Sequence, residues 1–288
     1  MKYAVIDIGS NSVRLLLWAD GRSIYKKIET TRLGGGLSQT GRLSEAAIRR
    51  TADAVAAFAR EAAREGAEKT AAFATAAVRS AENGRDFVRL VRAECGVDVD
   101  VISGEREAAL GLAGALGGRD GGIVDVGGAS TEITVAAGGK IVCAVSADIG
   151  AVRLKDLCGE DRAALARVIA EKTAAFGRVP PTAELYAIGG TATSLAALEK
   201  EVEPYDPAQI DGTVLPAECV QAWADKLLSL SQEERLRLRG MDPRRADILG
   251  GGVLLLRAAM AAAGAEKIVV SERDNMEGYL YAVCGVKP

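Results

Sequence analysis

The chain has 288 residues, 49% apolar and 26% charged at a net charge of −3, so it can build two domains with cores of their own and is too apolar to be disordered. The mildly acidic balance excludes a dedicated nucleic-acid binder, which carries a strong basic excess. With a histidine count of 0, there is no Ser-His-Asp triad, histidine metal cluster or histidine base, and acid–base work falls to Asp or Glu.

In chain order, Met1-Lys2 leads directly into an apolar β-rich run at Tyr3–Ile8, with no charged leader region before it. No stretch approaches the length of a membrane span, so the expectation is a cytoplasmic protein with no membrane partner. Val13–Trp18 and Ser23–Ile28 read as the second and third strands, and the Gly-rich segment Arg32–Leu37 as a loop. Ser44-Glu45 opens a long Ala-rich helix over Ala46–Glu65. A strand at Thr70–Ala74, a helix at Arg85–Glu94, a strand at Val99–Ile102 and a helix at Glu105–Leu116 complete the first half.

The second half repeats the plan, with strands at Ile123–Val126, Ile133–Ala136 and Lys140–Ser146, then helices near Val152 and over Asp161–Phe176. A strand at Leu185–Ile188 meets Gly189-Gly190-Thr191 before a helical run at Ala192–Leu198. The Pro-containing stretch Glu203–Pro216 reads as an exposed connection. Helices at Ala217–Leu230, Gln232–Arg239 and Arg244–Ala263, a strand at Lys267–Val270 and a helix from Met276 close the chain. Strands alternating with helices predict a layered α/β fold, divided here into domains 1–117 and 118–288. Five scattered cysteines without a C-x-x-C pair predict neither a disulfide framework nor a zinc site.

The most informative feature is an ungapped repeat. Val5–Arg22, VIDIGSNSVRLLLWADGR, returns 118 positions later as Ile123–Lys140, IVDVGGASTEITVAAGGK. Each copy is a strand ending in Asp (Asp7, Asp125), a small-residue loop, and a second strand. The loops are Gly9, Ser10, Asn11, Ser12 in the first copy and Gly127, Gly128, Ala129, Ser130, Thr131 in the second. Glycine lets the backbone approach a ligand closely, and successive amides with small hydroxyl and amide side chains can converge on a phosphate oxygen. An acidic residue before such a loop makes sense if a divalent cation sits between carboxylate and phosphate. Mg²⁺ suits this site, with Mn²⁺ as the alternative. Gly189, Gly190 and Thr191, a Gly-rich turn at a helix N-terminus, form a third phosphate-binding candidate.

These hairpins, with TRLGGGLSQTGRLS, FATAAVRSAENG, VISGEREA, DVGGASTE, AIGGTATSLAAL and VVSERDNMEGYL, resemble the exopolyphosphatase and guanosine pentaphosphate phosphohydrolase family over essentially the whole chain. The resemblance implies a duplicated actin-like ATPase (ribonuclease H-like) fold of two domains with the active site in the cleft between them. It also implies the short two-domain form, a homodimer, and polyphosphate or a phosphorylated guanosine nucleotide as substrate.

Residue by residue, the resemblance makes Glu107 the base for the attacking water, Asp125 and Glu132 catalytic acidic residues that also hold the metal with Asp7, and Arg79 a phosphate contact. The sequence departs from the family pattern at Arg106, where a Glu is usual and the change bears on site charge and substrate preference, and at Ala129, where a third Gly is usual. Arg85, Arg89 and Arg92 share a helix face that reads as a polyanion track or as a solvated surface. Three substrates present the same terminal phosphoanhydride: long polyphosphate, short oligophosphate and guanosine pentaphosphate. A sugar or acetate kinase would share the fold, and a non-catalytic polyphosphate or nucleotide sensor is a further reading. Gly36–Gly41 has the glycine spacing of a Walker A loop but continues Arg42-Leu43 instead of Lys and Ser/Thr.

Overall fold

The computed structural model describes residues 1–287, which divide into two compact units, 1–110 with 275–287 and 111–274. In the first unit, Lys2–Ile8 (β1), Ser12–Ala19 (β2) and Arg22–Thr30 (β3) form an antiparallel meander in which Asp7 stands opposite Arg14. β1 and β2 are covered on both faces and so read as nearly continuous apolar runs, whereas β3 is an exposed edge rich in charge. Leu37–Thr40 (α1) is a single turn within the segment read as a loop and its continuation.

Glu45–Arg64 (α2) starts at Ser44, whose Oγ accepts the Ala47 amide at 3.2 Å. Its buried residues Ala47, Thr51, Val55, Phe58 and Ala62 recur at helical spacing and lie against the sheet. Lys69–Ala74 (β4) pairs parallel with β1, and Val99–Val101 (β5) pairs parallel with β4. Between them lie Ala76–Ser80 (α3), which the sequence reading did not resolve, and Gly84–Cys95 (α4). Gly104–Leu116 (α5) follows, and the division between units falls within it.

The second unit repeats this wiring. Gly121–Val126 (β6), Thr131–Ala137 (β7) and Lys140–Ala147 (β8) make the meander, followed by Ala151–Cys158 (α6) and Arg162–Thr173 (α7). Leu185–Ile188 (β9) pairs parallel with β6 and leads into Gly189–Glu199 (α8). Pro207–Ile210 (α9), Val214–Pro216 (β10), Ala217–Ser229 (α10), Gln232–Leu236 (α11), Leu249–Ala262 (α12) and Lys267–Val270 (β11) complete it. The sheet orders are β3-β2-β1-β4-β5 and β8-β7-β6-β9-β11-β10, so five strands follow one order twice and β10 is added at an edge. This is the duplicated ribonuclease H-like unit of the actin-like ATPase fold. Among the described residues no helix is long and apolar enough to cross a membrane.

Three sequence expectations change. The stretch 203–216 is not a plain exposed connection: it contains α9 and β10 and sends Ile210 and Leu215 into the core, both fully buried. The helix expected from Arg244 begins at Leu249, because Asp242 Oδ1 accepts the Arg244 amide and holds the segment in a turn. The last helix, Asn275–Cys284 (α13), belongs to the first unit, so one cut between residues 117 and 118 does not describe the units.

Met276, Tyr279 and Leu280 pack with Val5, Leu16, Trp18, Phe73 and Leu110, and the ring of Phe73 lies 4.7 Å from that of Tyr279. Glu277, 1% exposed, meets Lys26 Nζ at 2.9 Å. A Cβ built on Gly278 would lie 1.9 Å from the carbonyl oxygen of Leu110, so only glycine permits this backbone approach. Gly278→Ala should therefore lower stability by about 1–3 kcal/mol, the range for overpacking. Urea denaturation measures it, and an unchanged midpoint would disprove the docking of α13 on α5.

Candidate active site

The two hairpin loops share their geometry. Gly9 N donates to Ser12 O at 3.0 Å, and Gly127 N donates to Ser130 O at 3.0 Å. In each, the loop carbonyls are tied back into the protein. Ser10 O accepts the Gly34 amide at 2.8 Å, and Asn11 O accepts those of Thr31 at 3.1 Å and Arg32 at 2.8 Å. Gly127 O accepts the Ala151 amide at 2.8 Å, while Gly128 O accepts those of Val152 at 2.9 Å and Arg153 at 3.0 Å.

A trans peptide points its C=O and the following N–H in opposite directions, so drawing these carbonyls inward turns the amides of Asn11, Gly128 and Ala129 outward. An oxyanion meets donors there. The close fit beneath the second loop depends on Gly150, where a Cβ would lie 2.5 Å from Gly127 O. The sequence reading did not single out Gly150.

Side chains distinguish the copies. Asn11 is 7% exposed, and neither its Oδ1 nor its Nδ2 has a hydrogen-bond partner among the described residues. Leaving a buried amide unmet costs about 1–3 kcal/mol, which a phosphate or water would recover. Ser10, Ser12 and Ser130 are also buried in their loops. Thr131 is committed elsewhere, its Oγ1 donating to Ile149 O at 2.7 Å, so its role in this structure is to fasten the loop. Ala129 is not among the non-glycine residues with positive φ, and its Cβ is accommodated without backbone strain.

Asp7, expected among the metal ligands, pairs with Arg14, whose Nε and Nη2 both reach Oδ2, at 2.9 and 2.5 Å. In the second copy the position opposite Asp125 is Glu132, and beyond it Ser146 Oγ donates to Glu132 Oε1 at 3.0 Å. One copy thus matches carboxylate with guanidinium, while the other sets two carboxylates opposite each other, an arrangement that favours a cation.

Asp125 and Glu132 fit Mg²⁺, which takes one or two carboxylates and completes its shell with waters and phosphate oxygens. No group of three or more His, Cys, Asp or Glu among the described residues forms a protein cage for a metal. The third candidate loop lies beside this pair. Gly189 has φ 78, and a Cβ there would lie 2.6 Å from Asp125 Oδ1. Thr191 Oγ1 donates to Val126 O at 2.9 Å. The Arg245 guanidinium fills the space a side chain on Gly190 would need, with Nη2 2.0 Å from the ideal Cβ. Sequence reasoning missed Arg245, since an arginine in a turn carries no local signal.

In the first unit, α3 and α5 bring Arg79 and Glu107 together. Arg79 Nη1 donates to Ile102 O at 2.8 Å and to Glu107 Oε2 at 3.1 Å. Glu107 is 9% exposed and sits in the first turn of α5, where the helix dipole favours an anion. Arg106 faces elsewhere, paired with Asp100 at 2.7 Å and stacked 5.6 Å over the ring of Tyr279, so Asp100 balances the charge this departure introduces. Arg89 and Arg92 pair with Asp86 and Asp98 on the exposed face of α4, which is a solvated surface.

The Ppx/GppA phosphatase family model matches residues 19–285. The chain belongs to the Ppx/GppA phosphatase family. The family comprises hydrolases acting on phosphoanhydrides. The chain is similar to exopolyphosphatase 2 of Mycobacterium tuberculosis, 32% identical over 99% of each chain. It is also similar to the guanosine-5'-triphosphate,3'-diphosphate pyrophosphatase of Photobacterium profundum, 29% identical over 97% of this chain and 58% of that one. Among solved structures, the Aquifex aeolicus Ppx/GppA enzyme superposes with a TM-score of 0.79 at 31% identity, covering 98% of this chain and 99% of that one. An exopolyphosphatase from Cytophaga hutchinsonii gives a TM-score of 0.86 at 26% identity, covering 100% and 99%.

Two substitutions test the loops. Asn11→Ala removes an amide that is unmet in the protein itself, so KM should rise about tenfold or more with stability unchanged or increased. A KM within twofold of the parent would exclude Asn11 from substrate binding. Ala129→Gly should leave turnover within about twofold and cost about 0.5–1 kcal/mol of stability through added chain entropy. A large gain in turnover would show instead that the Cβ obstructs the site.

Proposed function

We propose that this protein is an exopolyphosphatase, releasing terminal orthophosphate from inorganic polyphosphate by metal-assisted attack of water. The observation that carries this reading is the row of Asp125 and Glu132 beside a loop whose carbonyls are tied back and whose amides turn outward. Asp125 and Glu132 would hold Mg²⁺, or Mn²⁺, which when bound neutralises phosphate charge and polarises the terminal phosphoryl group.

The chain's own residues do the rest. The outward amides of Gly128 and Ala129, the Ser130 hydroxyl and the N-terminal turn of α8 hold phosphate oxygens. Asn11 and its neighbours offer the first unit's donors. The Glu107 carboxylate takes the proton from the attacking water as the new P–O bond forms and the bridging P–O bond breaks, the leaving oxygen departing with the shortened chain. Arg79 holds Glu107 in place through Oε2 and brings guanidinium charge to the transferred group. Positioning and electrostatics supply most of the acceleration, as in phosphoryl transfer generally.

Guanosine pentaphosphate is the second reading. It ends in the same phosphoanhydride, and the Photobacterium relative supports it.

Glu107→Gln should lower turnover at least about 10²-fold while leaving KM within a few-fold, because it removes a base and keeps the shape. Phosphate release with Mg²⁺ is measured from long polyphosphate, short oligophosphate and guanosine pentaphosphate in parallel. Near-normal turnover in the variant would refute the assignment of the base. Release from guanosine pentaphosphate alone would move the substrate to the second reading, and release from none would remove the hydrolase reading.

A further inference from the structure

Arg153 carries, at the second hairpin, a charge that folding does not call for. It is the third residue of α6, and its amide donates to Gly128 O at 3.0 Å. The guanidinium therefore belongs to a residue bonded directly to the loop whose amides turn outward. A cation there is misplaced for stability, because the first turn of a helix is the positive end of its dipole, and no acidic residue in that turn offsets it.

The partner Arg153 has is a weak one. Its side chain is 12% exposed, and Nη1 donates to the backbone O of Asp148 at 3.2 Å and to the Asp148 carboxylate. The Asp148 side chain is 85% exposed, and an ion pair with so exposed a member adds little to stability. Asp148 follows Ala147, which stands opposite Thr131, so the pair lies at the Ser130–Thr131 end of the loop.

Nη1 is thus held, while Nε and Nη2 make no hydrogen bond among the described residues and are not sealed from solvent. Nε and Nη2 are the two donors of the side-on fork, the edge of a guanidinium that grips two oxygens of a carboxylate or phosphate at once. In the first hairpin the same edge of Arg14 is closed on Asp7. In the second it is open, and Asp148 orients it from behind.

We propose that Arg153 is a substrate-binding residue whose Nε–Nη2 fork holds the phosphoryl group next to the one seated on the loop. The inference rests on the proposed reading of that loop as a phosphate seat. The loop amides, the Ser130 hydroxyl and the first turn of α8 already surround the terminal group, which leaves the fork to its neighbour in the chain. Any chain of linked phosphates meets this demand, whether inorganic or carried on a nucleoside. Released orthophosphate does not, so the contact favours exchange of product for new substrate.

Calorimetric titration of imidotriphosphate, whose N–H bridges replace the cleavable oxygens, into the whole protein with Mg²⁺ tests this without turnover. Arg153→Gln should weaken binding at least about tenfold, through loss of charge-assisted hydrogen bonds, while orthophosphate affinity, read by competition, stays within about threefold. Asp148→Asn keeps an acceptor for Nη1 and removes negative charge beside the fork, so it should bind at least as tightly as the parent. A brace of purely structural value would instead make both variants weaker. Arg153→Lys, which keeps the charge without the fork, should fall between the parent and Arg153→Gln. Circular dichroism checks the fold of each variant. Unchanged affinity in Arg153→Gln, equal losses for imidotriphosphate and orthophosphate, or weaker binding in Asp148→Asn would overturn the proposal. The expected shifts in a protein that releases phosphate from no substrate would keep Arg153 as a phosphate contact and remove the hydrolase reading alone.

Discussion

The site depends on which way a few peptide planes face. At a net charge of −3 bulk attraction would not hold a polyanion, so donors for the proposed substrate must be local and fixed. They are fixed from behind: six backbone hydrogen bonds, three beneath each hairpin, hold the carbonyls of Ser10, Asn11, Gly127 and Gly128 into the fold. Glycine at 150 lets the chain supplying three of those bonds come close enough, since any Cβ there would strike the loop. The loops are thus rigid because of what lies under them, and the energy of ordering the donors is met on folding rather than on binding.

Duplication gave the chain two such loops, and one cross-strand position separates their chemistry. Arg14 in the first copy and Glu132 in the second occupy the same place relative to Asp7 and Asp125. The first copy balances its carboxylate with the guanidinium of Arg14. The second sets two carboxylates opposite each other, the arrangement on which the proposed metal role rests. Two hairpins of one origin thus differ across the strands by a single exchange of charge, Arg14 for Glu132.

Much of this was legible in the sequence. The repeat, its strands and its loop residues fell where the spacing placed them, because β1, β2, β6 and β7 are local hairpins whose pattern needs no distant contact. The remainder was hidden by distance along the chain. Arg79 and Glu107 are 28 residues apart and meet only through the packing of α3 and α5. Arg245 reaches Gly190 from a turn, and Gly150 looks like any other loop glycine until the neighbouring strand is in place. The Asp7–Arg14 pair was readable in principle, since both sit on one hairpin in direct register, but recognising it required weighing the opposite strand before assigning a metal.

The return of α13 to the first unit has a consequence for synthesis. Residues 111–274 form a unit enclosed in sequence by segments of the other, so every residue of the second unit has been made before the last helix of the first exists. A nascent chain can complete the unit that carries Asp125 and Glu132 while the surface of Val5, Leu16, Trp18 and Phe73 still lacks Met276, Tyr279 and Leu280. The half of the molecule translated first is then the last to be finished, and its uncovered apolar face is the part that chaperones would meet on the ribosome.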